Sequence, residues 1–265
     1  MKDARLFRLL IVAGLLATAL PAAARITRTR PSASSTAYST PAPSIWAPLS
    51  AFVLGAGVDY RSDGEQTEYG FPILLEYNLT EKLKLTLEPE YASIVSKSQD
   101  VRSVSGFADL ETAVTYEFLR ERRYRPALSV EGRIKWPTAE DPDLGDPGRD
   151  YTLGLIASKD LVFVELDLNV LYTFIGDREQ EDTVELSLAA AWPVNRYVDV
   201  IAEVASVTRI GDLRGEESGG RSETEATVGL AWNVSKNLKL EQGIVFKEHG
   251  VWEAVFAWEW SFGGD

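Results

Sequence analysis

Apolar and polar residues alternate with a period of two from Ala51 to the end of the chain. In the stretch VWEAVFAWEWSF, residues 251–262, one face carries Trp252, Ala254, Phe256, Trp258, Trp260 and Phe262, and the other carries Glu253, Val255, Ala257, Glu259 and Ser261. Successive side chains of a β-strand point to opposite faces of a sheet. The alternation therefore predicts strands that have one apolar and one polar face.

The same pattern recurs in about twelve extended segments, which makes the predicted fold all-β. The segments are residues 51–61, 68–78, 82–92, 106–119, 125–136, 149–159, 161–175, 181–192, 197–209, 221–233, 237–247 and 251–262. Pro72 and Pro89 fall inside two of them. Because proline cannot donate a hydrogen bond to the ladder, each predicts a bulge or a frayed strand end.

The connections between these segments alternate in length. After the even-numbered segments they are tight, as in VSKN at 234–237, and after most odd-numbered segments they are longer and more polar, as in PTAEDPDLGDPG at 137–148. Short turns at one end and long loops at the other are typical of an up-and-down barrel whose ends face different compartments.

The aromatic residues decide between a membrane barrel and a soluble β-fold, since period-two alternation occurs in both. If the first strand runs outward, the aromatics near the outer strand ends are Tyr60, Tyr69, Phe71, Tyr91, Trp136, Tyr151, Tyr172, Phe174 and Trp252. Those near the inner ends are Tyr77, Tyr116, Phe118, Trp192, Tyr197, Trp232, Trp258, Trp260 and Phe262. Two aromatic belts around an aliphatic band match the two interfaces of a bilayer. The prediction is an up-and-down antiparallel transmembrane β-barrel of about 12 strands.

The start of the chain predicts export to the outer membrane. Lys2, Arg5 and Arg8 precede the apolar run LLIVAGLLATAL, and an A-x-A-like cleavage site follows at Ala22 to Ala24. An uncleaved anchor is the alternative, although the apolar run is short for a membrane span. The predicted organisation is a signal peptide at 1–24, a flexible Ser/Thr/Pro/Ala-rich segment at 25–49 and an outer-membrane β-barrel at 50–265. The flexible segment is either a tether or a plug that folds back into the barrel.

The net charge of −13 argues against nucleic acid as a partner. The polar faces of the strands carry many more carboxylates than basic groups, which predicts an acidic lumen. The expected partners are the lipid bilayer, small-molecule solutes and the barrel-assembly machinery. The residues predicted to line the lumen are Glu88, Asp109, Glu111, Glu131, Arg133, Lys135, Glu165, Asp167, Glu185, Glu203, Glu225, Lys239, Glu241 and Glu253. An excess of carboxylates favours cations in a pore. Ion-pair ladders that plug the barrel are the alternative, and the number of strands leaves both open.

Residues that support catalysis or cofactor binding are scarce. His249 is the only histidine and lies in the tight KEHG connection with no adjacent serine, so a Ser-His hydrolase is not predicted. Asp141, Asp143 and Asp146 are a weak calcium candidate, but the twelfth position of an EF-hand-like loop is Thr152 instead of Glu, and a solvated loop is the default. No nucleotide or zinc motif occurs. We therefore expect no enzyme activity, no cofactor and no bound metal.

Three stretches in the middle of the chain resemble a known family. GFADLETAVTYEFL, RPALSVEGRIKWPTAED and GDPGRDYTLGLIASKDL are similar to the outer-membrane β-barrel family named for the MetA pathway of phenol degradation, whose members are often described as transporters. The matching positions are Gly106, Asp109, Pro126, Ala127, Leu128, Pro137, Thr138, Gly145, Gly148, Asp150, Tyr151, Ser158 and Lys159, whereas Ala108 and Ala139 depart from the pattern. The resemblance implies a barrel that passes small hydrophobic or aromatic compounds. The expected function is a passive channel, and the alternative is a non-conducting structural or surface-interaction barrel.

Overall fold

The computed structural model describes residues 52–62, 66–96, 103–177, 180–210 and 222–262, and these are almost entirely β. The strands are β1 Phe52–Ser62, β2 Gln66–Thr80, β3 Leu83–Glu88, β4 Glu90–Ser96, β5 Val104–Phe107, β6 Leu110–Leu119, β7 Ala127–Trp136, β8 Asp150–Asp160, β9 Glu165–Phe174, β10 Thr183–Asn195, β11 Val198–Arg209, β12 Ser222–Asn233, β13 Leu238–Lys247 and β14 Trp252–Phe262. A 3-10 turn, Glu248–Gly250, precedes β14. In the described part of the chain, helices long and apolar enough to cross a bilayer are absent. The predicted segments 1–24 and 25–49 lie outside the described residues.

The fourteen strands form one antiparallel sheet that closes on itself. The strand order is β1-β14-β13-β12-β11-β10-β9-β8-β7-β6-β3-β2-β4-β5, and β1 also pairs with β2. β3 and β4 together occupy one place beside β2, and β5 and β6 together occupy the next. The sheet is therefore a barrel of twelve strand positions, which confirms the predicted up-and-down antiparallel barrel.

Two prolines interrupt the ladder next to each other. Pro89 separates β3 from β4, and its carbonyl accepts a hydrogen bond of 2.9 Å from the Ile73 amide. On the other side of β2, the ladder with β1 pairs Ala56 with Ile73 and resumes at Asp59, skipping the position opposite Pro72. Both prolines lack the N–H that a ladder needs, so the predicted irregularities are confirmed as breaks within otherwise continuous strands.

The apolar face of each strand is on the outside of the barrel. In β14, Trp252, Phe256 and Trp260 are exposed, whereas Val255 and Ala257 on the other face are buried. The same alternation holds in the other strands, where Leu, Val and aromatic residues are exposed and Glu, Asp, Ser and Thr are buried. An apolar outer surface around a polar inside is the arrangement of a membrane barrel, so the apolar face of each strand is the one that contacts lipid.

Strand register assembles the two aromatic belts. At the end with long loops, the ring of Tyr60 lies 5.5 Å from that of Tyr69 and 5.5 Å from that of Trp252. At the end with short turns, Phe52 and Phe262 are Cα partners with ring centroids 6.2 Å apart. Aromatic residues from neighbouring strands therefore meet at each rim, as cross-strand pairing requires.

One predicted segment, 161–175, begins later than expected. β9 starts at Glu165, and the chain reverses at Leu161 to Val164, where the Leu161 amide donates to the Val164 carbonyl. The Asp160 carboxylate accepts a hydrogen bond of 2.7 Å from the Val162 amide, and Val162 adopts a φ of +70°. The predicted segment 161–175 was too long at its start, because this side-chain-to-backbone bond holds Val162 in a tight turn.

Candidate solute pathway inside the barrel

Charged side chains occupy the inside of the barrel because they alternate with exposed apolar residues. Of the residues predicted to line the lumen, all except Asp109 lie in strands at such positions and are buried or half-buried, namely Glu88, Glu111, Glu131, Arg133, Lys135, Glu165, Asp167, Glu185, Glu203, Glu225, Lys239, Glu241 and Glu253. Groups of this kind need water or partners once they leave bulk solvent. Their role along a solute path stays a prediction.

Arg133 joins three carboxylates that come from three strands. Its Nη1 lies 3.0 Å from Glu111 on β6 and 3.7 Å from Glu88 on β3. Its Nη2 lies 3.1 Å from Glu131, which also accepts a hydrogen bond of 3.0 Å from Thr115. Register produces the cluster, because Glu88 and Glu111 are directly paired across β3 and β6. One guanidinium against three carboxylates leaves excess negative charge on this wall.

Lysines make further ion pairs inside the barrel. The Nζ of Lys84 lies 2.6 Å from Glu76, and that of Lys239 lies 2.5 Å from Glu241. The Nζ of Lys247 lies 2.7 Å from Glu253 and 4.0 Å from Glu225. Glu76 and Lys247 are missing from the predicted lumen set. Strict alternation with the exposed Tyr77 and Phe246 is the signal that identifies both as inside positions.

A second part of the wall is acidic without basic residues of its own. β9 and β10 contain neither Lys nor Arg, yet their inside positions include Asp167 and Glu185, which are buried. Glu203 on the adjacent β11 is also buried, and it shares the partner Ala189 with Asp167 in the ladder. The barrel therefore combines an ion-paired wall around Arg133 with a carboxylate-rich wall at β9 to β11.

The long connection between β7 and β8, residues 137–149, folds into the barrel at the end with long loops. Its Leu144 is 1% exposed and packs against Ala92 and Val104, which are buried inside positions of β4 and β5. Gly106 of β5 makes room for this contact, because a Cβ there would lie 2.6 Å from a Glu140 carboxylate oxygen and 3.2 Å from Leu144. We call residues 137–149 the inward loop.

Asp109 holds the inward loop by its backbone. It lies in the break between β5 and β6, where its Oδ1 accepts hydrogen bonds from the amides of Thr138 at 3.0 Å and Ala139 at 2.9 Å. Its Oδ2 accepts another from the Asp146 amide at 2.9 Å. Three amides on one carboxylate fix the two ends of the loop relative to the wall. Asp109 was predicted to line the lumen because it lies two residues before Glu111 in the same alternating pattern. The pattern does not show that the strand is broken at Asp109, between β5 and β6.

The far side of the inward loop is fixed by charge. Lys135 on β7 has its Nζ 2.7 Å from Asp146 of the loop and 2.6 Å from Asp150 at the start of β8. Asp146 also accepts a hydrogen bond of 3.2 Å from the Gln180 amide group, and Asp150 accepts one of 2.9 Å from the Gly176 amide. The loop is thus anchored to the next long connection as well as to the wall.

Two of the three carboxylates of the calcium candidate make other contacts. Asp146 binds Lys135, and the Asp141 carboxylate accepts a hydrogen bond of 3.0 Å from the Asp143 amide. Among the described residues, groups of three or more His, Asp or Glu arranged to hold a metal ion are absent. The expected solvated loop is present in part, since Asp143 is exposed, but Leu144 next to it is buried against Ala92 and Val104.

A cavity of about 40 Å³ lies in the wall beside the ladder break at Pro72. It combines apolar and acidic surface, and its lining includes Leu74, Ile73, Trp258, Glu88, Glu241 and Glu259. Gly55 permits the arrangement, since a Cβ there would lie 3.1 Å from the Leu74 Cβ. The cavity therefore lies within the wall, between carboxylates of the inside face and residues such as Ile73 that belong to the outer face.

Comparison with known families identifies the lineage of the chain. The family described as "Putative MetA-pathway of phenol degradation" matches residues 30–249, which span β1 to β13 and the inward loop. The chain belongs to this family. The match confirms the resemblance seen in the three central stretches of the sequence and extends it over most of the chain. Comparison with curated proteins returns no match.

Solved structures share the fold of this MetA-pathway family member. An outer-membrane channel from Pseudomonas putida F1 superposes with a TM-score of 0.69 at 14% identity, covering 82% of this chain and 97% of that one. The KdgM porin superposes with a TM-score of 0.54 at 11% identity, covering 78% of this chain and 99% of that one. The NanC porin superposes with a TM-score of 0.53 at 11% identity, covering 79% of this chain and 99% of that one. The fold is therefore that of outer-membrane channels and porins.

Proposed function

We propose that the protein is a passive outer-membrane channel for small molecules and is not an enzyme. The observation that carries the proposal is the polar inside of the barrel, where charged residues from most strands alternate with a lipid-facing apolar surface. A barrel of twelve strands lies between filled eight-stranded barrels and open porins, which leaves room for a narrow wet passage. The shared fold with outer-membrane channels and porins supports the same reading.

The passage favours cations over anions. Three carboxylates share Arg133, and β9 and β10 add acidic inside positions without basic ones. Rings or clusters of Asp and Glu attract cations at close range and raise the barrier for anions.

The solutes are small and include hydrophobic or aromatic compounds. The family to which the chain belongs is described by a pathway of phenol degradation. Inside the barrel, Leu74 lies next to the carboxylates of Glu88 and Glu241 at the wall cavity. We expect solutes that combine an apolar ring with a polar group to find both kinds of contact on such a wall.

The alternative is a barrel that conducts nothing and acts as a structural or surface-interaction protein. The observation in its favour is the number of inside charges that already have ion-pair partners, including Lys84, Arg133 and Lys239. Paired charges can fill a lumen as well as line one. Residues 25–49 add a second way to close it, as a plug.

Single-channel recording in planar bilayers separates these functions. Residues 25–265 and 50–265 are refolded separately, and the reversal potential is measured in a KCl gradient. Steady cation-selective current from 25–265 supports the channel, and current only from 50–265 identifies residues 25–49 as a plug. A folded, heat-modifiable barrel that passes no current in either form contradicts the proposal. Block of the current by phenol, with glucose as the control, tests the solute class.

A further inference from the structure

The end of the barrel with short turns is basic, in contrast to the acidic chain as a whole. The charged residues in its turns and at the adjoining end of β8 are the basic Lys82, Arg120, Arg122, Arg123, Arg125, Lys159, Arg196 and Lys236 and the acidic Glu81, Glu121 and Asp160. The net charge of the whole chain is −13. A local excess of positive charge on an acidic protein indicates an anionic partner at that end.

The turn between β6 and β7 concentrates this charge at a hairpin tip. Arg122 and Arg125 form a bridge through amide-to-carbonyl hydrogen bonds of 3.1 and 3.2 Å, which places Arg123 and Tyr124 at the tip. The Arg123 guanidinium lies 5.2 Å from the centre of the Tyr124 ring, and Tyr124 is 86% exposed. The tip therefore presents an aromatic ring together with guanidinium groups.

The neighbouring turn between β8 and β9 presents apolar side chains beside this tip. Val162 is 90% exposed and Phe163 is 67% exposed. A β-branched residue rarely adopts the positive φ that Val162 has, so this turn holds an unfavourable conformation while exposing apolar surface. The turn is not loose, because the Asp160 carboxylate binds the Val162 amide at 2.7 Å.

The two turns are fixed to each other. Glu121, next to the hairpin tip, accepts hydrogen bonds from the Lys159 ammonium and from the Asp160 amide, the latter at 3.2 Å. Arg120 already has a carboxylate partner. It donates a hydrogen bond of 2.6 Å to Glu81, and this bond raises the pKa of Arg120. Among the described residues, Arg122 and Arg123 have no carboxylate at ion-pair distance, and both are exposed.

We propose that Arg122, Arg123, Tyr124, Val162 and Phe163, the short-turn patch, bind anionic phospholipids in the leaflet that surrounds this end of the barrel. The exposed Tyr116 and Phe118 on β6 mark the bilayer interface a few residues from the hairpin tip, so the patch lies at headgroup depth. Guanidinium groups bind phosphate in a bidentate geometry, while Tyr124, Val162 and Phe163 enter the boundary between headgroups and acyl chains.

The first test measures lipid preference. The full chain is reconstituted in phosphatidylcholine bilayers, and the association of spin-labelled phosphatidylglycerol is compared with that of spin-labelled phosphatidylcholine. R122Q and R123Q are each expected to lower the preference for phosphatidylglycerol by up to about fivefold, which corresponds to about 1 kcal/mol for one Arg near a charged membrane surface. R149Q removes the same charge from the opposite end of the barrel and is expected to leave the preference unchanged.

The second test measures depth and uses the absence of cysteine from the chain. A nitroxide is attached to F163C, and a reference nitroxide to D143C in the exposed part of the inward loop. The label at 163 is expected to be less accessible to a water-soluble paramagnetic reagent than the label at 143. Equal accessibility, or a lipid preference that R122Q and R123Q do not change, overturns the proposal. Protection of position 163 by a soluble protein without lipid preference would assign the short-turn patch to a protein partner. Heat-modifiable migration of each variant shows that the barrel has folded, and the outcome does not depend on whether the barrel conducts.

Discussion

Lys135 and Asp146 form an ion pair of 2.7 Å that joins the barrel wall to the inward loop. The same ammonium lies 2.6 Å from Asp150, so Lys135 on β7 joins the later part of the inward loop to the start of β8. We expect this ion pair to hold the loop close to the wall.

Replacing Lys135 with Met is expected to increase single-channel conductance and current noise. The substitution leaves Asp146 and Asp150 close together without the cation between them, and their repulsion moves the loop away from the wall. K247M is the matched control, because it removes a lysine that pairs with the strand residue Glu253 and does not contact the loop. Unchanged conductance in K135M, or an equal change in both variants, would show that the ion pair does not control the opening.

A larger side chain at Gly106 tests the same loop by steric displacement. A Cβ at this position would lie 2.6 Å from Glu140 and 3.2 Å from Leu144, so G106L is expected to lift the loop and raise the conductance. In G132L the new side chain meets open space, since a Cβ there has no neighbour within 4 Å, and the conductance is expected to stay at the wild-type value. The idea fails if G106L folds and conducts like the wild type.

Arg133 is expected to limit cation selectivity. R133Q leaves Glu88, Glu111 and Glu131 without their shared guanidinium, so the local charge becomes more negative. The reversal potential in a KCl gradient should shift toward that of a more cation-selective pore. R196Q serves as the control, because Arg196 is exposed in the short turn between β10 and β11 and stacks on Tyr197 at 4.4 Å. A reversal potential that moves toward anions would contradict the arrangement.

Asp109 is expected to be worth more to stability than other loop carboxylates. D109A removes the acceptor of three backbone amides, a loss of about 2 kcal/mol or more in the free energy of unfolding. The measurement is denaturant-induced unfolding followed by tryptophan fluorescence. D143A provides the comparison because Asp143 is exposed, and a change within about 0.5 kcal/mol is expected there. Equal losses in the free energy of unfolding for D109A and D143A would show that Asp109 does not hold the loop.

The alternation of residues in β9 shows why most of the fold could be predicted. Leu166, Leu168 and Val170 face outward, and Asp167 and Asn169 face inward, as the period of two requires. A one-residue slip would reverse both faces, so each strand contains the information about its own orientation. Pro89 likewise indicated its own ladder break, because the missing N–H is a property of that residue alone.

Leu144 shows where prediction from the sequence ends. It is one apolar residue in an acidic, proline-containing stretch, and no period marks it as buried. It is buried because β4 and β5 bring Ala92 and Val104 to the wall opposite the loop. Arg133 is a similar case, because two of its three carboxylates, Glu88 and Glu111, lie 45 and 22 positions away and only register brings them together.

The sequence by itself determined the barrel, the strand count, the outward apolar face and the two aromatic belts, because each depends on the local alternation of side chains along an extended chain. The tertiary structure decided the inward position of residues 137–149, the partners of Arg133 and Lys135, and the contact between the two turns of the short-turn patch. These features depend on strand register and on contacts between residues far apart in the chain, and a local pattern contains neither.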